Sequence, residues 1–214
     1  MTVWRLSAPQ WDVLTEVACL QERYPSPIEV RAHGRTNLER ARIREQVRAE
    51  LEQAGLLHTG RIDADLENAL RVLHRPVMWL DSVWLPDAAT NQPVRVLAAR
   101  SGSTAVCAQQ RPPEPGATLL EVIPPGTLAA AVVGRLPALP PGRKPAVTVP
   151  LTLPATRRDD GSVLVQASAG HGERERQADE AILTAPHPRA GQIAANVRHT
   201  SGAVRRSAVL RWCD

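Results

Sequence analysis

Phenylalanine is absent from the sequence, and tyrosine (Tyr24) and lysine (Lys144) each occur once. A core without Phe must rest on Leu, Val, Ile, Ala and the five tryptophans. Cysteine is scarce: Cys19, Cys107 and Cys213 are far apart and odd in number, which excludes an even-numbered disulfide framework and any C-x-x-C metal knuckle. They are expected to be three isolated buried thiols. No apolar run approaches the roughly 20 residues of a membrane helix; the longest, Leu128 to Val133, breaks at Gly134 and Arg135. Met1 to Leu6 has no basic stretch followed by an apolar one, so no signal peptide is expected and the cytoplasm is the expected compartment.

Catalytic and cofactor motifs are missing too. Lys144 follows Pro-Pro-Gly-Arg and precedes Pro, so it is not part of a phosphate-binding Walker loop. Gly170-His-Gly172 lacks the third glycine of a dinucleotide fingerprint. No G-x-S-x-G elbow and no H-E-x-x-H occurs. His33, His58, His74, His171, His187 and His199 are scattered, and none pairs with another ligand at metal-site spacing. The expectation is a binding protein, not an enzyme, with no cofactor, metal or small-molecule substrate.

What is present is a soluble composition, 43% hydrophobic and 22% charged over 214 residues, long enough for a sizeable core in a single domain spanning 1–214. The net charge of +4 is carried almost wholly by arginine. That balance keeps open an arginine-rich nucleic-acid binder, although the richest patch, Arg40 to Arg44, is interleaved with Glu39, Glu45, Glu50 and Glu52.

Local signals define the elements. Val3 to Leu6 reads as a strand, and Ser7 with Gln10 as a capping box opening a helix from Ala8 to Leu20. Pro27 to Arg31 reads as a short strand. Thr36 and Glu39 suggest a second capping box for a helix whose stripe is Ile43, Val47, Leu51 and Ala54, ended by Gly55. Asp63 caps a third helix with Leu66, Ala69, Leu70 and Leu73 inward, closed by Pro76. From Val77 to Leu85 both alternating faces are apolar, which predicts a central strand in a covered sheet; its one charge, Asp81, implies an edge position or a partner in Arg95. Val94 to Ala99 and Thr104 to Gln109 form a hairpin through Gly102.

After the proline-rich break at 110–116 the order repeats. Thr118 to Ile123 is a strand, and Leu128, Val132 and Leu136 form a helical stripe. Ala146 to Leu151 is a short strand, 156–172 a polar flexible segment, and Glu173 to Leu183 a weak helix. Two strands, Arg189 to Arg198 and Ala203 to Trp212, close the chain. The halves, about 1–112 and 113–214, read as a degenerate internal duplication. The predicted class is α+β: a central antiparallel sheet with flanking helices and quasi-two-fold symmetry.

Two constellations are candidate sites. Backbone N–H groups around His33 to Thr36, with Arg35 beside them, suit an anion, which keeps open a small anion-binding sensor; the alternative is a turn at Gly34 and a plain cap at Thr36. The ridge Arg40, Arg44 and Arg48 stacks like charges and needs relief from acidic neighbours such as Glu45 and Glu52, or from a partner.

Taken in order, several segments resemble a known family. They are Pro27-Ile-Glu-Val-Arg-Ala-His-Gly-Arg-Thr, a helix ending in Ala54-Gly55-Leu56, Gly60-Arg-Ile-Asp-Ala-Asp-Leu, the strand Val77 to Leu85, Pro93-Val-Arg-Val-Leu-Ala-Ala, Gly191-Gln192, Arg205-Arg206-Ser207 and Arg211-Trp212. The series is similar to the EspG-type chaperones of actinobacterial type VII (ESX) secretion. The resemblance implies a quasi-symmetric sheet fold and an activity: binding PE–PPE-like helical dimers at the apolar tip of the PPE partner, keeping them soluble and directing them to one ESX machinery. It further implies that the loop between two central strands, here Pro86 to Pro93, contacts the substrate, with Trp84, Leu85, Asp87 and Asn91 as the partner-binding residues. Trp84 could equally pack under a helix. Thr156 to Leu183 is shorter and more polar than the second helical bundle that the family builds there.

Overall fold

Strand β1 (Val3–Leu6) turns at Ser7 into helix α1 (Ala8–Val17) in a computed structural model that describes residues 2–20, 23–87, 89–138 and 189–213. Ser7 Oγ accepts the Gln10 N–H and Gln10 Oε1 accepts the Ser7 N–H, the expected capping box. The helix stops at Val17, short of Leu20. Cys19 takes a φ of 56°, and the N–H groups of Cys19 and Leu20 close on the carbonyls of Glu16 and Thr15, which is a Schellman end.

Thr36 caps α2 (Asn37–Gln53) by accepting the Glu39 N–H. The reciprocal bond differs from a capping box, because Glu39 Oε2 accepts from Arg35 instead of Thr36. Of the expected stripe, Val47 and Leu51 are buried and Ile43 is half-buried, while Ala54 is the exposed C-cap. A hairpin with no clear sequence signal follows: β2 (Leu57–His58) and β3 (Arg61–Ile62) turn through Thr59 and Gly60, both at positive φ, as a two-residue type I′ turn requires. Asp63 caps α3 (Ala64–His74), which buries Leu66, Ala69, Leu70 and Leu73 as expected.

The rest of the described chain is β4 (Met78–Leu85), β5 (Val94–Ser101), β6 (Thr104–Gln110), β7 (Thr118–Ile123), α4 (Leu128–Val133), β8 (Ala190–Arg198), β9 (Val204–Arg206) and β10 (Leu210–Cys213). One antiparallel sheet runs β1-β7-β6-β5-β4-β8-β10, with β9 also on β8. The fold is α+β, and β4 lies between β5 and β8, the covered central position its two apolar faces predicted. One face carries Trp79, Leu97, Ala99, Val106 and Leu120 against α1, α2 and α3. The other carries Trp84, Val96, Ala98, Cys107 and Ile123 against α4.

The last strand is not continuous. Arg206 pairs with Asn196 but Leu210 with Ile193, so one side has an extra residue. Ser207 fills that bulge by donating its N–H to the Ala195 carbonyl and accepting the Ala195 N–H on Oγ.

Three expectations are corrected. Pro27 to Arg31 forms no strand, because the Gln110 side chain takes both backbone groups of Glu29: Oε1 accepts its N–H and Nε2 donates to its carbonyl. Of the cysteines, only Cys107 is buried; Cys19 is exposed and Cys213 half-buried. Burial pushes the Cys107 thiol up to about 12, with the Arg135 charge acting in the opposite direction. Asp81 sits on a central strand, not an edge, and its partners are Arg206 and Asn196 instead of Arg95, which pairs with Glu29. The expected strand Ala146 to Leu151, polar segment 156–172 and helix Glu173 to Leu183 lie outside the described residues, and with them any comparison of the two halves.

The single tyrosine reports on the helix-side core. Tyr24 packs 5.4 Å from the rings of Trp11 and His74. Burial pushes its phenol up from 10.0 to about 12, against the lowering effect of its Thr15 hydrogen bond. Since the folded value is the raised one, the stabilisation is complete below pH 10 and is lost as pH climbs toward 12. Ultraviolet titration of the folded protein is expected to show tyrosinate forming near pH 12; ionisation centred near pH 10 would contradict this packing.

Candidate functional site

The loop between β4 and β5 is shaped by its own polar groups. Asp87 Oδ1 accepts the Ala89 N–H at 2.9 Å, and the Asp87 carbonyl accepts both the N–H and the hydroxyl of Thr90. These bonds make an Asx turn, the conformation Asp favours when its carboxylate substitutes for a backbone acceptor. Asn91 follows at a φ of 48°, a left-handed position that asparagine tolerates better than most residues. Asp87 and Asn91 are exposed, Leu85 is half-buried, and Trp84 is 5% exposed. The structure therefore places Asp87 and Asn91 on the loop surface and Trp84 in the core beneath it.

Trp84 is held from both sides. Across β4–β5 it faces Val94, and across β4–β8 it faces Gly191, which in turn faces Trp212 on β10. A Cβ at Gly191 would lie 2.6 Å from Trp84 Cβ and from the Trp212 ring. The missing side chain is what lets the two indoles meet over the glycine, 6.2 Å apart and tilted by 46°. Neither indole N–H has an acceptor among the described residues, nor has the Ser82 hydroxyl. Ser82 shares the Trp84 face of β4 by alternation. Three unsatisfied polar groups on one face is a concentration that native cores usually avoid.

Within the arginine-rich constellations, Arg40 and Arg44 are internally paired. At His33 to Thr36 the anion is the protein's own: Asp12 accepts the His33 N–H at 2.9 Å and two hydrogen bonds from Arg40. The Asp12 bond pushes the Arg40 guanidinium above its ordinary value and so keeps it charged. Gly34 makes the turn, at φ 97° and with Arg40 backbone 2.7 Å from where its Cβ would be. Relief for Arg40 and Arg44 comes from Asp12 and Glu16 on α1, not from Glu45 or Glu52. Arg71, Arg95, Arg135 and Arg206 pair with Glu67, Glu29, Glu121 and Asp81. A basic face needs unpaired cations to track phosphates, and these pairings take six arginines out of that role.

The triad Asp81, Asn196 and Arg206 escaped the sequence reading. Arg206 binds both Asp81 oxygens at 2.7 and 2.8 Å, and Asn196 Nδ2 donates to Asp81 at 2.7 Å. The one available signal was a lone carboxylate in an otherwise apolar strand. Among the described residues no group of three or more His, Cys, Asp or Glu is placed to hold a metal, and no helix is long and apolar enough to cross a membrane.

A family model described as the EspG family matches residues 7–214. No curated protein matches the chain. The chain belongs to the EspG family, which is a family of type VII secretion chaperones and not of enzymes.

Proposed function

We propose that this EspG-family chain is a cytoplasmic chaperone for helical type VII substrates of the PE–PPE kind. It binds their apolar tip, keeps them soluble and directs them to one ESX machinery. The observation that carries the reading is the family match across residues 7–214, which includes every strand of the sheet except β1. The docking site is the β4–β5 loop with the strand ends beside it: Trp84, Leu85, Asp87 and Asn91. Its chemistry supports the reading. Leu85 offers half-buried apolar area, Asp87 and Asn91 ring it with polar groups, and Trp84 with Trp212 fixes the base from below. Protein interfaces commonly combine an apolar centre with a polar rim.

Because Trp84 is a core residue, its truncation tests stability instead of docking. The test of the site is Asp87→Ala combined with Asn91→Ala, at exposed positions where surface substitutions usually cost little stability. Calorimetric titration with a purified PE–PPE-type heterodimer should show affinity reduced about tenfold, the effect of losing a 1.4 kcal/mol contribution, with an unchanged melting temperature. A folded double variant that binds as tightly as the parent would remove this loop from the site.

A further inference from the structure

We propose that a second site, an oxoanion pocket for a carboxylate or phosphate group, lies on the helix-covered face of the sheet. A cavity of about 280 Å³ opens there among Arg23, Ser26, Trp79, Arg198, Val204 and Arg206. With roughly 30 Å³ per water, it has room for a small oxoanion and several waters. It lies toward the Met78 end of β4, away from the β4–β5 loop, and does not depend on the docking reading.

Charge is the first argument. Among the described residues no carboxylate lines the cavity. Asp81, the acid behind Arg206, is 4% exposed at its side chain and is occupied by Arg206 and Asn196. Arg206 is thereby neutralised while Arg198 and Arg23 are not. The β8–β9 register sets Asn196 against Arg206 and Arg198 against Val204, so Arg198 lies diagonal to the neutralised Arg206 on one face and its own charge has no counter-ion among the described residues. An anion in the cavity would supply one.

Preorganisation is the second. Arg198 is not a free surface chain: Nε donates to the Pro76 carbonyl at 3.2 Å, and the guanidinium carbon lies 5.6 Å from the Trp79 ring centroid. Anchored at Nε and laid over the indole, its two terminal nitrogens have no hydrogen-bond acceptor among the described residues. The same holds for exposed Arg23. A guanidinium held in a fixed plane with its fork unused suits two-point recognition of a carboxylate or phosphate.

The test is calorimetric titration at fixed ionic strength, since screening would otherwise obscure the effect. The probes are inorganic phosphate and a hexaglutamate peptide, on the parent chain, Arg198→Gln and Arg23→Gln. Arg23 has no partner to lose among the described residues, so its variant is expected to keep the fold and to read the site even if Arg198→Gln does not fold. At least one probe is expected to bind, with affinity lowered about tenfold in Arg198→Gln and several-fold in Arg23→Gln. Phosphate binding without hexaglutamate binding identifies a free small oxoanion. Hexaglutamate binding that phosphate displaces identifies an acidic side chain of a protein segment. Failure of both probes to bind, or binding unchanged in Arg23→Gln, overturns the proposal.

Discussion

Trp84→Ala is expected to lower the folding stability by about 3–5 kcal/mol, the range for removing a large aromatic from a packed core. Trp84 is 5% exposed, packs with Val94, Val96 and Ala98 against α4, and shares the space over Gly191 with Trp212. Alanine would leave a cavity that the sheet cannot close, because β4 is clamped between β5 and β8. The comparison with Trp84→Phe sharpens the test. Phenylalanine keeps an aromatic over the glycine and removes an N–H that has no acceptor among the described residues, so its cost should be only about 1 kcal/mol. Urea unfolding of the two variants gives both numbers. A loss below about 1 kcal/mol for the alanine variant would mean that the indole is not packed as described.

Asp81→Ala should cost about 2–4 kcal/mol. Asn196 is 3% exposed and would lose its acceptor, a penalty close to full desolvation. Arg206 would lose a two-point partner, but its side chain is 42% exposed and water recovers part of that. The lower half of the range is therefore the better expectation for the charge itself, with Asn196 supplying the rest. Adding Arg206→Met to Asp81→Ala should recover part of the loss, since it removes the stranded cation. If the double variant is as unstable as the sum of the two singles, measured by denaturant unfolding, the triad is not energetically coupled.

How far the sequence could be read depends on distance along the chain. Caps and turns were legible because their partners lie within a few residues: Ser7 with Gln10, Asp63 with Leu66, Gly55 after α2, Gly102 between β5 and β6. The central place of β4 was legible because two apolar faces leave few other options. The misreadings share a physical cause, in that a remote side chain took over a role local pattern had assigned to something nearby. Gln110, 81 residues away, substitutes for a strand neighbour of Glu29. At His33 to Thr36 the reading of a turn at Gly34 and a cap at Thr36 holds, and the remote Asp12 is what accepts the His33 N–H. Asp81 finds Asn196 and Arg206, 115 and 125 residues on, instead of Arg95 on the neighbouring strand β5. The loop residues of the candidate site carry no local signature at all. Asp87 and Asn91 read as ordinary turn formers, and only the ordered resemblance singled them out.

Complex formation with a purified PE–PPE-type heterodimer, followed by size-exclusion chromatography with mass determination, tests the central claim most directly. The account predicts one stable species containing one copy of this chain and one heterodimer, and a heterodimer that stays soluble longer in its presence. It further predicts a specific interface burying more than about 1,000 Å². If the folded chain elutes separately from type VII heterodimers of its own organism and leaves their solubility unchanged, the chaperone reading is contradicted.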